Sequence, residues 1–80
     1  MKWIITHSPE YRRRIGTGNV KPEEAGKFEH RWRTLDADGE VSFYGKSDSI
    51  GFAPLDDFCR ADIGDVEIQF KGDDDQWHGL

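Results

Sequence analysis

The sequence predicts an α+β protein, a small antiparallel sheet of about four or five strands with one short helix. Two observations predict this class. Apolar and polar residues alternate on both sides of the turn-forming segment Asp36–Gly39, which indicates a β-hairpin. After Pro54, apolar residues recur at three- and four-residue spacing, which indicates a helix. With 80 residues, of which 35% are apolar, we expect one small domain over residues 1–80 with a thin core.

The first element is a strand over Trp3–His7, because aromatic and β-branched residues dominate it and a Ser-Pro pair closes it. The next segment, Glu10–Ile15, fits either a helical turn with Ser8 as its N-cap or a second strand, and the sequence leaves both open. Gly16–Asn19 is predicted to be a loop, and Lys21–Gly26 a short turn or a helical turn ended by glycine.

The hairpin is the clearest element. Apolar and polar side chains begin to alternate at Phe28, and the residues Asp36–Gly39 are predicted to form the turn. If those four residues form the loop, Trp32 faces Phe43 across the pair. One face of the hairpin then holds Phe28, Trp32, Val41 and Phe43.

A short helix is predicted over Ala53–Arg60, with a proline early in it. Leu55, Phe58 and Cys59 lie at the spacing of a single buried stripe, and Gly64 is a suitable end. A cysteine on this stripe is expected to be packing rather than a nucleophile.

The last predicted elements are a strand over Val66–Phe70, a turn at Gly72–Asp75 and a short final strand. In this final strand we expect Trp77 to pair across from Phe70.

Charge is distributed unevenly along the chain, whose net charge is -5. Residues 1–34 carry eight basic and four acidic side chains, whereas residues 35–80 carry three basic and twelve acidic ones. Such asymmetry is typical of a charged interaction surface, although a solvated acidic face explains it equally well. An acid excess disfavours direct binding to nucleic acid, which rewards Lys and Arg, and favours a basic partner.

We therefore hypothesise that acidic side chains of the second half form an array that covers a basic channel, with Tyr44 and Trp77 as apolar anchors. The residues expected to bind the partner are Asp56, Asp57, Asp62, Asp65, Asp73, Asp74 and Asp75. The alternative is a nucleic-acid-binding accessory protein that uses a basic patch beside Tyr11. That patch consists of Arg12, Arg13, Arg14, Arg31 and Arg33, which could instead pair with acidic residues of the second half.

Other chemistry finds little support in the sequence. The spacing of Asp36–Glu40 is not that of a calcium loop, and the three histidines lack metal-ligand spacing. No nucleophile, phosphate-binding or dinucleotide motif is present. We expect no enzyme activity, no cofactor and no bound metal. The single Cys59 and the lack of a long apolar run favour a cytoplasmic protein without a membrane span.

Two segments, Arg33–Gly45 and Phe52–Phe58, resemble parts of small, uncharacterised proteins encoded on bacterial phages and plasmids. In those proteins a hairpin with an aromatic–glycine end leads to an APLDDF-like helical turn, and a strand and a C-terminal tryptophan follow. The resemblance covers Phe28 to Trp77 and brings no catalytic residues to carry over.

In its overall character the chain also resembles anti-CRISPR proteins against type I systems, with type I-C as the candidate subtype. This resemblance implies an inhibitor that binds the Cascade surveillance complex, a basic protein assembly, and keeps target DNA from its channel. The basic residues Arg12–Arg14 depart from a pure DNA mimic, so steric occlusion is as compatible with this function as charge mimicry.

Overall fold

Five strands form one antiparallel sheet in the computed structural model, which describes residues 1–80. The strands are β1 (Trp3–His7), β2 (His30–Leu35), β3 (Val41–Ser47), β4 (Glu67–Lys71) and β5 (Trp77–Gly79). Their order across the sheet is β1-β3-β2-β4-β5. The α+β prediction is therefore confirmed, and the sheet has five strands where four or five were predicted.

Helical structure is short and irregular. Two 3-10 helices span Arg12–Arg14 and Pro22–Lys27, and one helical segment covers residues 53–63. The centre of this segment, Leu55–Cys59, is a π-helical turn, and Gly64 ends the segment with φ 79°, as expected of a left-handed C-cap. Of the two alternatives for residues 10–15, the helical turn is correct, but its N-cap is Tyr11 and not Ser8. The Ser8 hydroxyl accepts a hydrogen bond from the N–H of Tyr11, before the turn begins.

The helical segment 53–63 packs on one face of the sheet and closes the core. Leu55 and Cys59 are buried, and Phe58 packs its ring 6.2 Å from that of Phe43. The predicted apolar stripe is thus confirmed. The buried core consists of Trp3, Ile5, Trp32, Phe43, Leu55, Cys59, Ile68 and Phe70.

The β2–β3 register differs from the predicted one. Trp32 faces Gly45 instead of Phe43, and Val41 lies opposite Leu35, outside the buried core. Phe28 precedes β2 at the C-cap of the second 3-10 helix, so it does not belong to the hairpin face.

The cause of this shift is the turn and a bulge beside it. Five residues rather than four separate Leu35 from its partner Val41, and within this turn the N–H of Asp36 donates a 2.9 Å hydrogen bond to the C=O of Glu40. The register then changes between Thr34 and Leu35, where Ser42 is the extra residue of β3. Each additional residue displaces every pair that follows.

The β4–β5 pairing is also one residue away from the prediction. Trp77 faces Lys71, and His78 faces Phe70. The turn closes through hydrogen bonds from Gly72 to Gln76 and from Asp75 to Gly72. Because side chains alternate between faces, this slip places Trp77 on the side of the sheet away from the core.

Residues 16–19, predicted to be a loop, run along the outer edge of β1. Their backbone groups bond to the N–H and C=O of Ile5 and to the C=O of Trp3. The side chain of Asn19 accepts from the N–H of Trp3 at 2.8 Å. Gly18 forms a bridge with Ile4, and a Cβ atom at Gly18 would collide with this backbone. None of the helical segments has the length and apolarity to cross a membrane.

Candidate functional site

The sheet face away from the helical segment carries basic and aromatic side chains. Arg31 and Arg33 flank the buried Trp32, so they project to the opposite side. The register sets them beside Lys46 and Tyr44, respectively, on β3. We call the following set the open face, because its side chains are exposed or half-buried: Arg31, Arg33, Tyr44, Lys46, Glu67, Gln69, Lys71 and Trp77.

Trp77 is the centre of the open face. Its ring lies 6.0 Å from that of Tyr44, and the guanidinium of Arg33 sits 4.5 Å from the indole centroid. The Nζ atom of Lys71 lies 5.7 Å from the same centroid. Arg33 also donates a 2.7 Å hydrogen bond to the side-chain oxygen of Gln69, which fixes the guanidinium against the indole.

A cavity of about 330 Å³ opens beside these rings. The side chains that shape it include Thr6, Arg31, Tyr44, Lys46, Lys71 and Trp77. Three of them are cationic, and no carboxylate is among the lining residues. Lys71 also pairs with Asp75 at 3.1 Å, but this carboxylate is 85% exposed, so the pair is weak. The cavity can therefore hold an anion that also presents a planar or apolar group.

The N-terminal arginines lie elsewhere. Arg14 forms a 3.0 Å ion pair with Asp62, which belongs to the helical segment on the core side of the sheet. The basic patch proposed from the sequence is thus divided, with Arg12–Arg14 on the helix side and Arg31 and Arg33 on the open face. The sequence analysis also allowed these arginines to pair with acidic residues of the second half, and this hypothesis is correct for Arg14.

The acidic set proposed from the sequence is also dispersed and largely paired. Its ion pairs are Asp56 with Arg60, Asp62 with Arg14, Asp74 with His78, and Asp75 with Lys71. The hydrogen bond from His78 is the main cause of a lowered pKa at Asp74. Asp57 and Asp73 are exposed and form no ion pair.

Asp65 is not a surface residue, so its assignment to the acidic surface is wrong. The side chain is fully buried, and the hydroxyl of Ser42 donates a 2.6 Å hydrogen bond to its Oδ1 atom. Its Oδ2 atom and the Thr34 hydroxyl have no hydrogen-bond partner. Burial raises the pKa of Asp65 above its ordinary value of 3.8. Asp65 therefore ties the bulge at Ser42 to the end of the helical segment.

Cys59 is a buried packing residue. Its side chain lies in the core beside Leu55, and burial raises the pKa of the Cys59 thiol to about 12. A thiol in this state is a poor nucleophile and a poor metal ligand. No group of three or more His, Cys, Asp or Glu side chains is placed to hold a metal ion.

Sequence reasoning missed two cations of the open face and the setting of its aromatic rings. Tyr44 and Trp77 were expected within an acidic array, whereas the structure surrounds them with cations. Lys46 and Lys71 were not considered, although each stands two residues from another open-face residue on its strand. Side chains two residues apart on a strand share a face, so Tyr44 indicates Lys46 and Gln69 indicates Lys71.

Comparison of the chain with protein-family models, with curated proteins and with solved structures finds no match. Function is therefore argued from the charges, rings and cavity of the open face.

Proposed function

We propose that this protein is a binding module whose open face binds a polyanion. The observation that carries this proposal is the cavity lined by Arg31, Lys46 and Lys71 with no lining carboxylate. Three cations around one opening create a local positive potential.

The net charge of -5 does not prevent such binding. Charges in solution are screened beyond about 8–10 Å at ordinary salt concentrations, so the nearest side chains dominate the potential at the cavity. Acidic side chains also lie close by, because Asp75 pairs with Lys71, and Glu29 and Asp73 line an adjoining cavity with Arg31 and Lys71, so they weaken the attraction. We therefore expect a modest affinity that falls as salt is added, because bound phosphates release their counterions.

Titration with inorganic polyphosphate, followed by calorimetry and by amide shifts in NMR spectra, tests this proposal. The double variant Lys46→Glu with Lys71→Glu is expected to bind about tenfold more weakly. The matched control, Arg12→Glu with Arg13→Glu, makes the same change in net charge on the helix side of the sheet. Equal losses in both variants would show that net charge, and not the open face, controls binding.

A second candidate is the function hypothesised from the sequence, an inhibitor that binds a type I Cascade complex and blocks target DNA binding. The net charge of -5 and the exposed, unpaired Asp57 and Asp73 favour it. The test is a gel shift of target DNA by type I-C Cascade with and without the protein. Loss of the shift, restored by Asp57→Lys with Asp73→Lys, supports this candidate, and an undisturbed shift removes it for this subtype.

A further inference from the structure

We infer that the polyanion bound by the open face is a single-stranded nucleic acid. This inference rests on the proposed function and adds the identity of the ligand. It comes from a second property of the cavity, the two aromatic rings of Tyr44 and Trp77 among its cations. A polyanion without bases has no planar group that can stack on these rings, whereas a nucleic acid places a phosphate and a planar base in the same site.

Part of each aromatic ring is accessible to a ligand, and the guanidinium of Arg33 covers one face of the Trp77 indole. Both Tyr44 and Trp77 are only half-buried, and they meet at an interplanar angle of 56°. Rings at this angle and distance leave no room for a base between them, so a base must stack on an outward surface of one ring. The cations Arg31 and Lys46 line the same cavity as the two rings, where a phosphate can pair with them.

Arg33 acts as a positioning residue for Trp77. Its guanidinium lies 4.5 Å from the indole centroid and is itself held by Gln69. The indole is therefore fixed before a ligand arrives, which lowers the entropy lost on binding.

The shape of the face favours a single strand over a duplex. Bases of a duplex are stacked inside it, and a protein reaches them with an element that enters a groove. The helical segment 53–63, the longest helical element of the chain, packs on the opposite side of the sheet. A sheet face with partly exposed rings can instead stack the splayed bases of a single strand. The cavity of about 330 Å³ is near the lower limit of small-ligand pockets, so we assign one nucleotide to it.

The experiment measures fluorescence anisotropy of labelled single-stranded oligonucleotides of about ten nucleotides, as DNA and as RNA in separate arms. A duplex of the same sequence and inorganic polyphosphate serve as competitors. We expect Trp77→Leu to weaken oligonucleotide binding roughly ten- to hundredfold, because base stacking is lost, and to weaken polyphosphate binding much less. Phe52→Leu, which removes an exposed aromatic ring outside the open face, is the matched control and should bind normally.

Tyr44→Leu is the second variant, so that a folding defect in one substitution does not decide the result, and circular dichroism checks both. Unchanged oligonucleotide binding in the two folded variants would overturn the inference. Competition by the duplex or by polyphosphate that is as strong as competition by an unlabelled single strand would also overturn the inference. In that case the proposed polyanion site would still be supported. If neither polyphosphate nor an oligonucleotide binds, both the proposed function and this inference are wrong.

Discussion

Trp32 packs its indole against Gly45, its partner across the β2–β3 pair. A Cβ atom at Gly45 would collide with two ring carbons of Trp32 and with the backbone oxygen of Ile4. The missing side chain therefore makes the space that the fully buried indole occupies. Trp3 then meets Trp32 edge to face, with ring centroids 6.0 Å apart, and the core is built around this pair.

Gly45→Ala is expected to destabilise the fold by about 1–3 kcal/mol, because the indole must move and the core around it is closely packed. Urea unfolding followed by circular dichroism measures this change. Gly26→Ala is the matched control, since nothing lies within 4 Å of a Cβ atom at Gly26. Similar unfolding free energies for the two variants would contradict the packing argument.

Asp65→Asn is expected to flatten the dependence of stability on pH. The pKa of Asp65 is raised in the folded state, chiefly by burial, so the folded protein holds this proton more tightly than the unfolded chain. The unfolding free energy of the wild type therefore falls as pH rises from 3.8 through the raised pKa. Asn stays neutral and can still accept from Ser42, so this contribution to the slope disappears.

Urea unfolding across this pH range tests the prediction on Asp65. Asp57→Asn makes the same chemical change at an exposed residue and should keep the wild-type slope. A slope in Asp65→Asn that matches the slope in Asp57→Asn would show that the buried carboxyl does not couple folding to protons.

Arg14→Ala is expected to cost about 0.5–1 kcal/mol of stability, because Arg14 loses a partly shielded ion pair with Asp62. Its neighbour Arg13 is exposed and forms no ion pair, so Arg13→Ala should change stability little. Thermal unfolding at low and high salt measures both variants. A cost for Arg14→Ala that is the same at all salt concentrations would point to lost packing against Tyr11 instead of lost charge.

Cys59 should react with thiol reagents only when the protein unfolds. Burial raises the pKa of its thiol to about 12, so almost no thiolate exists at pH 8 in the folded state. The rate of reaction with an aromatic disulfide, measured with and without urea, tests this. Rapid reaction of the folded protein would mean that the helical segment opens readily from the sheet.

The order and type of the elements were predictable from local patterns. The β1 strand follows from its β-branched and aromatic residues, and the buried stripe of Leu55 and Cys59 follows from helical spacing. The end of the helical segment at Gly64 follows from the ease with which glycine adopts the left-handed backbone conformation. Each of these features depends on residues close together in the chain.

The strand registers were not predictable, because they depend on the geometry of two turns and on a bulge that a distant residue holds in place. Asp65 holds Ser42 by a buried hydrogen bond between residues 23 positions apart, and the bulge sits at Ser42. The side-chain period of a strand is two, so one displaced residue moves a ring to the other face. In the β4–β5 pair the turn between Gly72 and Gln76 sets the register, and Trp77, expected opposite Phe70, lies on the open face. The candidate site was therefore predicted only in part, through Arg31 and Arg33 and through the rings of Tyr44 and Trp77, which were expected among acidic side chains.

The strip of residues 16–19 along β1 has a consequence for self-association. An unpaired edge strand offers its backbone to other chains and can seed edge-to-edge aggregation. Here the outward N–H and C=O groups of Trp3 and Ile5 are all occupied, and the opposite edge, β5, has three residues. The sheet thus presents no long template to a neighbouring molecule. A bulkier residue at Gly18 would displace residues 16–19 from β1. The outward N–H and C=O groups of β1 would then be unpaired and open to edge-to-edge association, which lowers solubility.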